Sequence, residues 1–523
     1  MQREYDVIIW GASGFTGKLV TRYMKKLYMD GNLKWAVAGR NPSKLAALGI
    51  PEANTLLADS NDQESIDQLV QKGRVILTTV GPYARYGSSL VAACAKHGTH
   101  YCDLTGEVYW MREMIESYNS IAQDSGARIV HTCGFDSIPS DLGAYFLQLE
   151  MQKRHGLPAN HIKYRSVAFK GGFSGGTADS MIAMMENAKK DPSVLEIGND
   201  PYALNFLGRG PDAKDIGTAF YDDDFEAWVG PFVMAQINTR VVRRTNELLD
   251  FRYGKDFRYD EGMLINKGTS GFIGANATAL GLKATNGLSG FKPTRKLLQK
   301  ILPKPGEGPS EETIQTGFFT IELIAKHPFE GEKNLKATVT GDQDPGYGST
   351  AKMLAESALA LAQDDLPVEG GFWTPASAMG DALLKRLPMN AGVNFTLSEE
   401  TQKICFQDRE LNCINLEDQV PIYVGANGPK ALAATGAYGD GRVSAGTEPT
   451  RVMQSNMERV RRGAEEAGRE LPDDFHTSVL TYSCVLKAGE SLMSDRVINE
   501  TGAPVVSSLH FWYELMLQRG NAA

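Results

Sequence analysis

Asp6-Val7-Ile8-Ile9-Trp10-Gly11-Ala12-Ser13-Gly14-Phe15-Thr16-Gly17-Lys18-Leu19-Val20 is the most informative stretch of this chain. A short apolar run suited to a buried parallel strand leads into three glycines at three-residue spacing. A helical apolar pattern follows. The glycines suit a turn whose backbone must approach a diphosphate, and the helix then points its N-terminus at that charge. Such a triplet is a weak signal alone in a chain with 54 glycines. Its place after a strand and at the head of a helix gives it weight. Gly11, Ser13, Gly14, Phe15, Thr16 and Gly17 are therefore the candidate diphosphate-binding residues.

The next strand, Lys34 to Asn41, ends about twenty residues after the turn, where a residue contacting the adenosine ribose is expected. No Asp or Glu stands there. Gly39 leaves room, and Arg40, with Asn41 beside it, offers a guanidinium that forks onto a phosphate. The pattern favours NADP over NAD; the alternative is a solvated arginine opening a helix. Thr55 to Asp59 reads as a third strand, with Asp59 either accepting from the adenine amino group or capping the helix near Gln63. Val75 to Tyr83 reads as a fourth strand that breaks at Gly81-Pro82. Ligands of open parallel sheets lie beyond the carboxyl ends of the strands, which places Val80, Gly81, Pro82 and Tyr83 near the nicotinamide.

Composition bounds the rest. A chain of 523 residues suggests about three domains. A net charge of -9 argues against a nucleic-acid partner, which needs a basic face. Six cysteines without paired metal spacing read as reduced thiols of a cytoplasmic protein. The first strand begins at the N-terminus without room for a secretory signal, and no run of apolar residues is long enough to span a membrane. Further along, His100 to Glu107 and Ala127 to Asp141 are two more strands with polar ends on the ligand side. His100, His131 and Asp103 lack ligand spacing and read as hydrogen-bonded strand-end residues, so no metal is expected.

Five motifs in order, GASGFTG (11–17), AGRN (38–41), GPYARYG (81–87), YCDLTGE (101–107) and CGFDSIPSDLG (133–143), resemble the saccharopine dehydrogenase-like oxidoreductases. The nearest branch is that of the bacterial trans-acting enoyl reductases and their animal relatives. The likeness resumes at 302–309, 344–348 and 374–380 and covers about the first 395 residues. It implies NADP-dependent hydride transfer and, for the enoyl reductase branch, reduction of a double bond in lipid or polyketide intermediates.

The expected architecture is α/β. Residues 1–150 form a Rossmann NADP-binding domain, and 151–345 an inserted α+β substrate or dimerisation domain with alternating strands. Residues 346–397 supply return helices that pack on the first domain, led by Ser349 to Leu361 with Ala351, Leu354, Ala355, Ala358 and Leu361 on one face. Lys170 to Thr177 is a glycine-rich corner or a second anion cradle, and Met181, Met184 and Met185 follow it. Leu264 to Leu282, rich in Gly and Ala, is either a buried or protomer-contact helix or a membrane-surface patch. Residues 398–523 change character: Val420 to Ala433 repeats a strand, glycine turn and helix. This tail resembles the C-terminal part of luciferase-like flavin or deazaflavin oxidoreductases, with Gly425 to Pro429 as a late phosphate-binding turn. About half a TIM barrel is present, so the tail reads as a truncated fusion rather than a second enzyme.

Reduction of a conjugated double bond leaves an anion that must be stabilised and protonated. Tyr83, Asp103 and Asp136 are the candidate catalytic residues, with Glu107 as a further relay. Tyr83 reads equally as aromatic packing, and each acid as a cap or loop brace. The substrate is a small or lipid-type molecule.

Overall fold

Tyr5–Trp10 (β1) and Trp35–Gly39 (β2) are nearly continuous apolar runs, and the structure buries them on both faces, as a sheet covered by helices on each side requires. In the computed structural model, residues 3–29, 31–171, 191–289, 308–398, 404–406, 409–411, 423–444, 450–471 and 475–479 are described. Thr55–Leu57 (β3), Gly73–Thr78 (β4), His100–Cys102 (β5) and Arg128–Val130 (β6) complete a parallel sheet with β1 and β2. Its order, β3-β2-β1-β4-β5-β6, is doubly wound, and the chain reverses direction between β1 and β4. Ligands settle outside the carboxyl ends of the strands at such a switch point.

The third strand stops at Leu57, short of Asp59. Asp59 belongs to the following turn, where its Oδ1 accepts from the Asn61 backbone N–H at 3.0 Å. The cap of the helix Gln63–Lys72 is Asp62, which accepts from the Glu64 N–H. The capping role considered for Asp59 is therefore Asp62's.

A second, mixed sheet follows, built from His161–Lys170 (β7), Phe220–Asp222 (β8), Ala227–Pro231 (β9), Arg258–Leu264 (β10), Phe318–Lys326 (β11) and Leu335–Gly341 (β12). Alternate residues of β12 are buried, as expected when one face meets the core and the other does not. The helix Ile138–His155 lies against that inner face, with Gly143 close to Leu323 and Val339. One hydrophobic core runs from Val7 and Ile9 through Leu142 to Leu323 and Ala355. The two sheets are thus joined by packed side chains rather than by a linker.

The stretch 346–397 differs from a set of return helices. The helix Thr350–Gln363 packs on the helix Phe15–Tyr28 and on β1 and β4, but Thr350 to Ala362 are buried on every side, not along one face. The same stretch also adds an edge strand to each sheet: Gly371–Trp373 (β13) beside β6, and Val393–Leu397 (β14) beside β12. Three residues are too few to show a period, so β13 has no sequence signature. Glu356, fully buried in this helix, accepts from the hydroxyls of Tyr23 (2.8 Å) and Tyr28 (2.6 Å) and pairs with Arg386 (3.2 Å). A buried charge persists because donors surround it.

The chain divides into two units, Met1–Cys413 and Ile414–Ala523, so the second begins beyond residue 398. Its described residues form parallel strands Tyr423–Gly425, Gly441–Ser444 and His476–Val479, with helices Pro429–Tyr438 and Thr450–Glu466 between them. Gly436 and Gly463 let those helices approach closely over Leu432 and Val460. This is a parallel strand–helix repeat. The corner from 172 to 177, the methionines at 181, 184 and 185, and 302–307 of the family motif lie outside the described residues. No described helix is long and apolar enough to cross a membrane.

Candidate active site

The turn after β1 is shaped by contacts that only glycine permits. Gly11 has φ +83°, and a Cβ there would lie 2.6 Å from Cγ2 of Val80. The loop after β1 therefore rests directly on the loop after β4, with Gly11 against Val80. A Cβ on Gly17 would overlap the Gly11 carbonyl oxygen, so the helix Phe15–Tyr28 can start hard against the turn. That helix begins at Gly14 with no side-chain cap, leaving first-turn amides directed outward beside the turn. Uncapped amides at the positive end of a 14-residue helix form a seat for a diphosphate. Phe15 meets Tyr347 edge-on at 5.2 Å, and Gly308 packs on the same ring. Residues from the loops between strands of the second sheet thereby border the nucleotide turn.

Arg40 stands exposed just beyond β2, with no hydrogen-bond or ion-pair partner among the described residues. A guanidinium left unpaired at this strand end is free to fork onto a phosphate. Asn41 has a structural task, capping the helix Pro42–Ala46 by accepting from the Lys44 N–H at 3.0 Å.

Around the ends of β4 to β6 the structure separates the acid and hydroxyl candidates. Tyr83 is buried: its hydroxyl donates to the Thr78 carbonyl (3.3 Å), and its ring lies 5.6 Å from that of Trp110. Burial pushes its phenol well above the ordinary tyrosine range, and the nearby Asp103 adds to that. Tyr83 thus packs on Trp110 with its hydroxyl turned to the Thr78 carbonyl. Asp103 is fully buried and saturated, accepting from Tyr101 Oη (2.8 Å), His131 Nδ1 (2.7 Å) and the Thr105 and Thr132 amides (both 3.1 Å). It knots the ends of β5 and β6 together. His131 is thereby a partner of Asp103.

Glu107 accepts from the Tyr83 (2.8 Å) and Ala84 (3.0 Å) amides and so anchors the segment after Gly81-Pro82. Burial, reinforced by Asp103, raises its carboxyl above the usual range despite those two donors. Glu107→Gln keeps one acceptor and replaces the other by an NH2 that cannot accept, leaving one backbone N–H unmet at a cost of about 1–2 kcal/mol. The unfolding midpoint should fall by roughly 2–4 °C. Calorimetry checks this, and an unchanged midpoint would show that the anchor adds nothing to stability.

Asp136 is different. It sits in the loop between β6 and the helix Ile138–His155, on the same sheet end as the glycine turn, and it is only partly exposed. No side chain among the described residues donates to it. Desolvation, with Asp103 nearby, pushes its carboxyl up to about 7. A carboxyl so raised is partly protonated near neutrality. The loop is fixed on both flanks: the Phe135 N–H donates to Thr350 Oγ1 (2.9 Å) and Ser137 Oγ to Asn238 Oδ1 (3.2 Å).

Asn238 in turn donates to Glu261 (2.9 Å), itself raised to about 7 by burial. Asp141, also raised to about 7 by burial, bonds Thr245 and accepts from the Ala376 N–H (2.8 Å). Glu261 has no motif around it. Asp141 stands inside CGFDSIPSDLG, and its place in the first turn of a helix was the available signal.

A family model described as the saccharopine dehydrogenase NADP binding domain matches residues 7–130, and one for luciferase-like monooxygenase matches residues 392–512. A putative trans-acting enoyl reductase of Mycobacterium tuberculosis is 40% identical over 415 residues, 75% of this chain and 97% of the relative. A trans-acting enoyl reductase of Mycobacterium ulcerans is 39% identical over 414 residues, with the same shares covered. Among solved structures, a saccharopine dehydrogenase (L-Glu forming) of Saccharomyces cerevisiae aligns with 75% of this chain and 99% of its own, at 11% identity and a TM-score of 0.42. The chain belongs to the trans-acting enoyl reductase family, carrying a saccharopine dehydrogenase-type dinucleotide-binding domain and a luciferase-like C-terminal segment, and is an oxidoreductase with a nicotinamide dinucleotide cofactor.

Proposed function

We propose that the protein uses NADPH to reduce the carbon–carbon double bond of an enoyl substrate on a lipid or polyketide-type chain, with Asp136 as the proton donor. The observation that carries this reading is the carboxyl of Asp136, partly exposed on the same end of the sheet as the glycine turn, with no side-chain donor among the described residues. The residues present fit the cofactor. The Gly11–Gly17 turn and the uncapped helix start suit the diphosphate, the Val80 to Pro82 loop borders the nicotinamide side, and Arg40 selects the 2′-phosphate. Reduced nicotinamide supplies a hydride to one olefinic carbon. The other carbon, which carries the resulting negative charge, takes the proton of Asp136. Asp136 then recovers a proton from water, to which it is partly exposed.

NADPH consumption with a panel of enoyl thioesters, against saturated and imine substrates, tests the reading. Oxidation confined to the enoyl compounds is expected. Binding of NADPH without turnover of any member would mark the protein as a cofactor-holding module instead.

The luciferase-like segment is proposed to lack its own turnover, because the matched residues fall well short of the roughly 250 of a complete barrel. The turn before the helix Pro429–Tyr438 is open and uncapped, but few described side chains surround it. A chain ending at Cys413 retains β14, which is seated beside β12. It should keep NADPH binding and enoyl reduction. A yellow chromophore, or flavin-dependent activity lost with the segment, would overturn the assignment of turnover to the first unit.

A further inference from the structure

Just past β6, Thr132 takes a backbone conformation that its side chain disfavours. Its φ is +60°, and of the four described non-glycine residues with positive φ it is the one that is β-branched. Such a backbone persists where its surroundings over-determine it, and it gathers at functional sites. Asp103 supplies those surroundings. Its Oδ1 accepts from the Thr132 N–H (3.1 Å), and its carbonyl accepts from the Cys133 N–H (2.7 Å). Thr132 adds a clasp of its own, donating from Oγ1 to the His131 carbonyl (2.7 Å). Asp103 is in turn fixed by Tyr101 and His131 on Oδ2, and the His131 ring lies against those of Trp110 (5.1 Å) and Phe372 (5.7 Å).

The strained turn leads straight to Asp136. Between them Gly134 has little room to move, since a Cβ there would come within 3.0 Å of Thr350 Cγ2. Its carbonyl accepts from the Ser137 and Ile138 amides (3.2 and 2.9 Å), which turns the chain into the helix Ile138–His155. No described side chain donates to Asp136, so the backbone of this loop decides where its carboxyl stands. We propose that Asp103 is a positioning residue: through the strained turn at Thr132 it sets where Asp136 stands, with its own charge beside that carboxyl. This rests on the donor role given to Asp136 above. Asp103 and the buried phenol of Tyr83 are the titratable groups facing Asp136, and the charge of Asp103 adds to desolvation in holding that carboxyl up. Neutralising Asp103 should therefore lower the titration of Asp136, whereas relaxing Thr132 should leave it in place.

Three variants of the full chain test this. Thr132→Gly gives the turn a residue that enters positive φ freely and leaves it as freely. Its unfolding midpoint should hold, while kcat on an enoyl thioester falls about tenfold to a hundredfold, as a displaced reacting group would cause. NADPH affinity should not change, and the pH limb should stay at about 7. Thr132→Ser keeps the bond to the His131 carbonyl and should recover most of the loss. Asp103→Asn keeps an oxygen for the Thr105 and Thr132 amides and removes the charge, and Tyr101 and the His131 ring can each accept where they now donate. Its pH limb should move to lower pH. Carbon NMR of protein labelled at the aspartate carboxyls, with the Asp136 signal identified by its absence in Asp136→Asn, should show the same downward move without any substrate. Wild-type kcat in Thr132→Gly, a kcat that falls there only in step with the unfolding midpoint, or an Asp136 signal that titrates unchanged in Asp103→Asn would overturn the inference. Should Asp136→Asn itself keep the wild-type rate, the donor role fails and the inference with it. Should Asp136→Asn lose the rate while the Thr132 and Asp103 variants match the wild type, the donor role stands and this inference fails by itself.

Discussion

Asp136→Asn is expected to lower kcat by about two to four orders of magnitude, the usual range for removing a general acid. Cofactor affinity should hold, because Asp136 lies in the loop after β6 and not in the glycine turn. The wild-type rate should be highest where Asp136 is protonated and fall as pH rises through about 7. The Asn variant should lose that limb. A limb that persists in the variant would move the donor role to another group.

The same substitution has a consequence for stability with a definite sign. An unfolded aspartate titrates near 3.9, whereas burial holds Asp136 up to about 7 in the folded protein. Its contribution to stability is fully present below the unfolded value and is lost as pH rises through the folded one. Wild-type stability should therefore decline between about pH 4 and pH 7, and Asp136→Asn should flatten part of that decline. Asp141 and Glu261 are raised by burial in the same direction, so some slope remains in the variant. Denaturant unfolding across this range measures both curves, and a steeper decline in the variant would contradict the assignment.

Arg40→Ala should weaken NADPH binding by roughly tenfold to a hundredfold, the effect of losing a charge-assisted contact of about 1.5–3 kcal/mol. NADH affinity should change little. Arg40 is exposed and pairs with nothing among the described residues, so the substitution leaves the fold untouched and the two titrations report on recognition alone. Part of the NADPH advantage should also fade as ionic strength rises. Equal losses for both cofactors would show that Arg40 does not read the 2′-phosphate.

The dinucleotide domain was legible because its signals are local. Strand, glycine turn and helix start fall within twenty residues, and Arg40 is found by its distance from them. Contacts that only glycine permits at Gly11 and Gly17 follow from the same short stretch. The proposed proton donor was not legible in that way. Asp103 and Asp136 look alike in sequence, each an acid after a strand. Their difference arises from partners: Asp103 accepts from His131, Tyr101 and two amides, while no side chain among the described residues donates to Asp136 and desolvation pushes its carboxyl up to about 7.

Tyr83 is a similar case, since its hydroxyl turns inward onto Thr78 only because Trp110 covers its ring. The helix Thr350–Gln363 reads as one apolar face, yet it is buried all round because β1, β4 and β5, the helices Phe15–Tyr28 and Pro375–Arg386, and Glu356's distant partners close over it. Periodicity and spacing are properties of neighbours along the chain. Protonation, saturation and burial depend on which remote side chains arrive, and only packing brings them together.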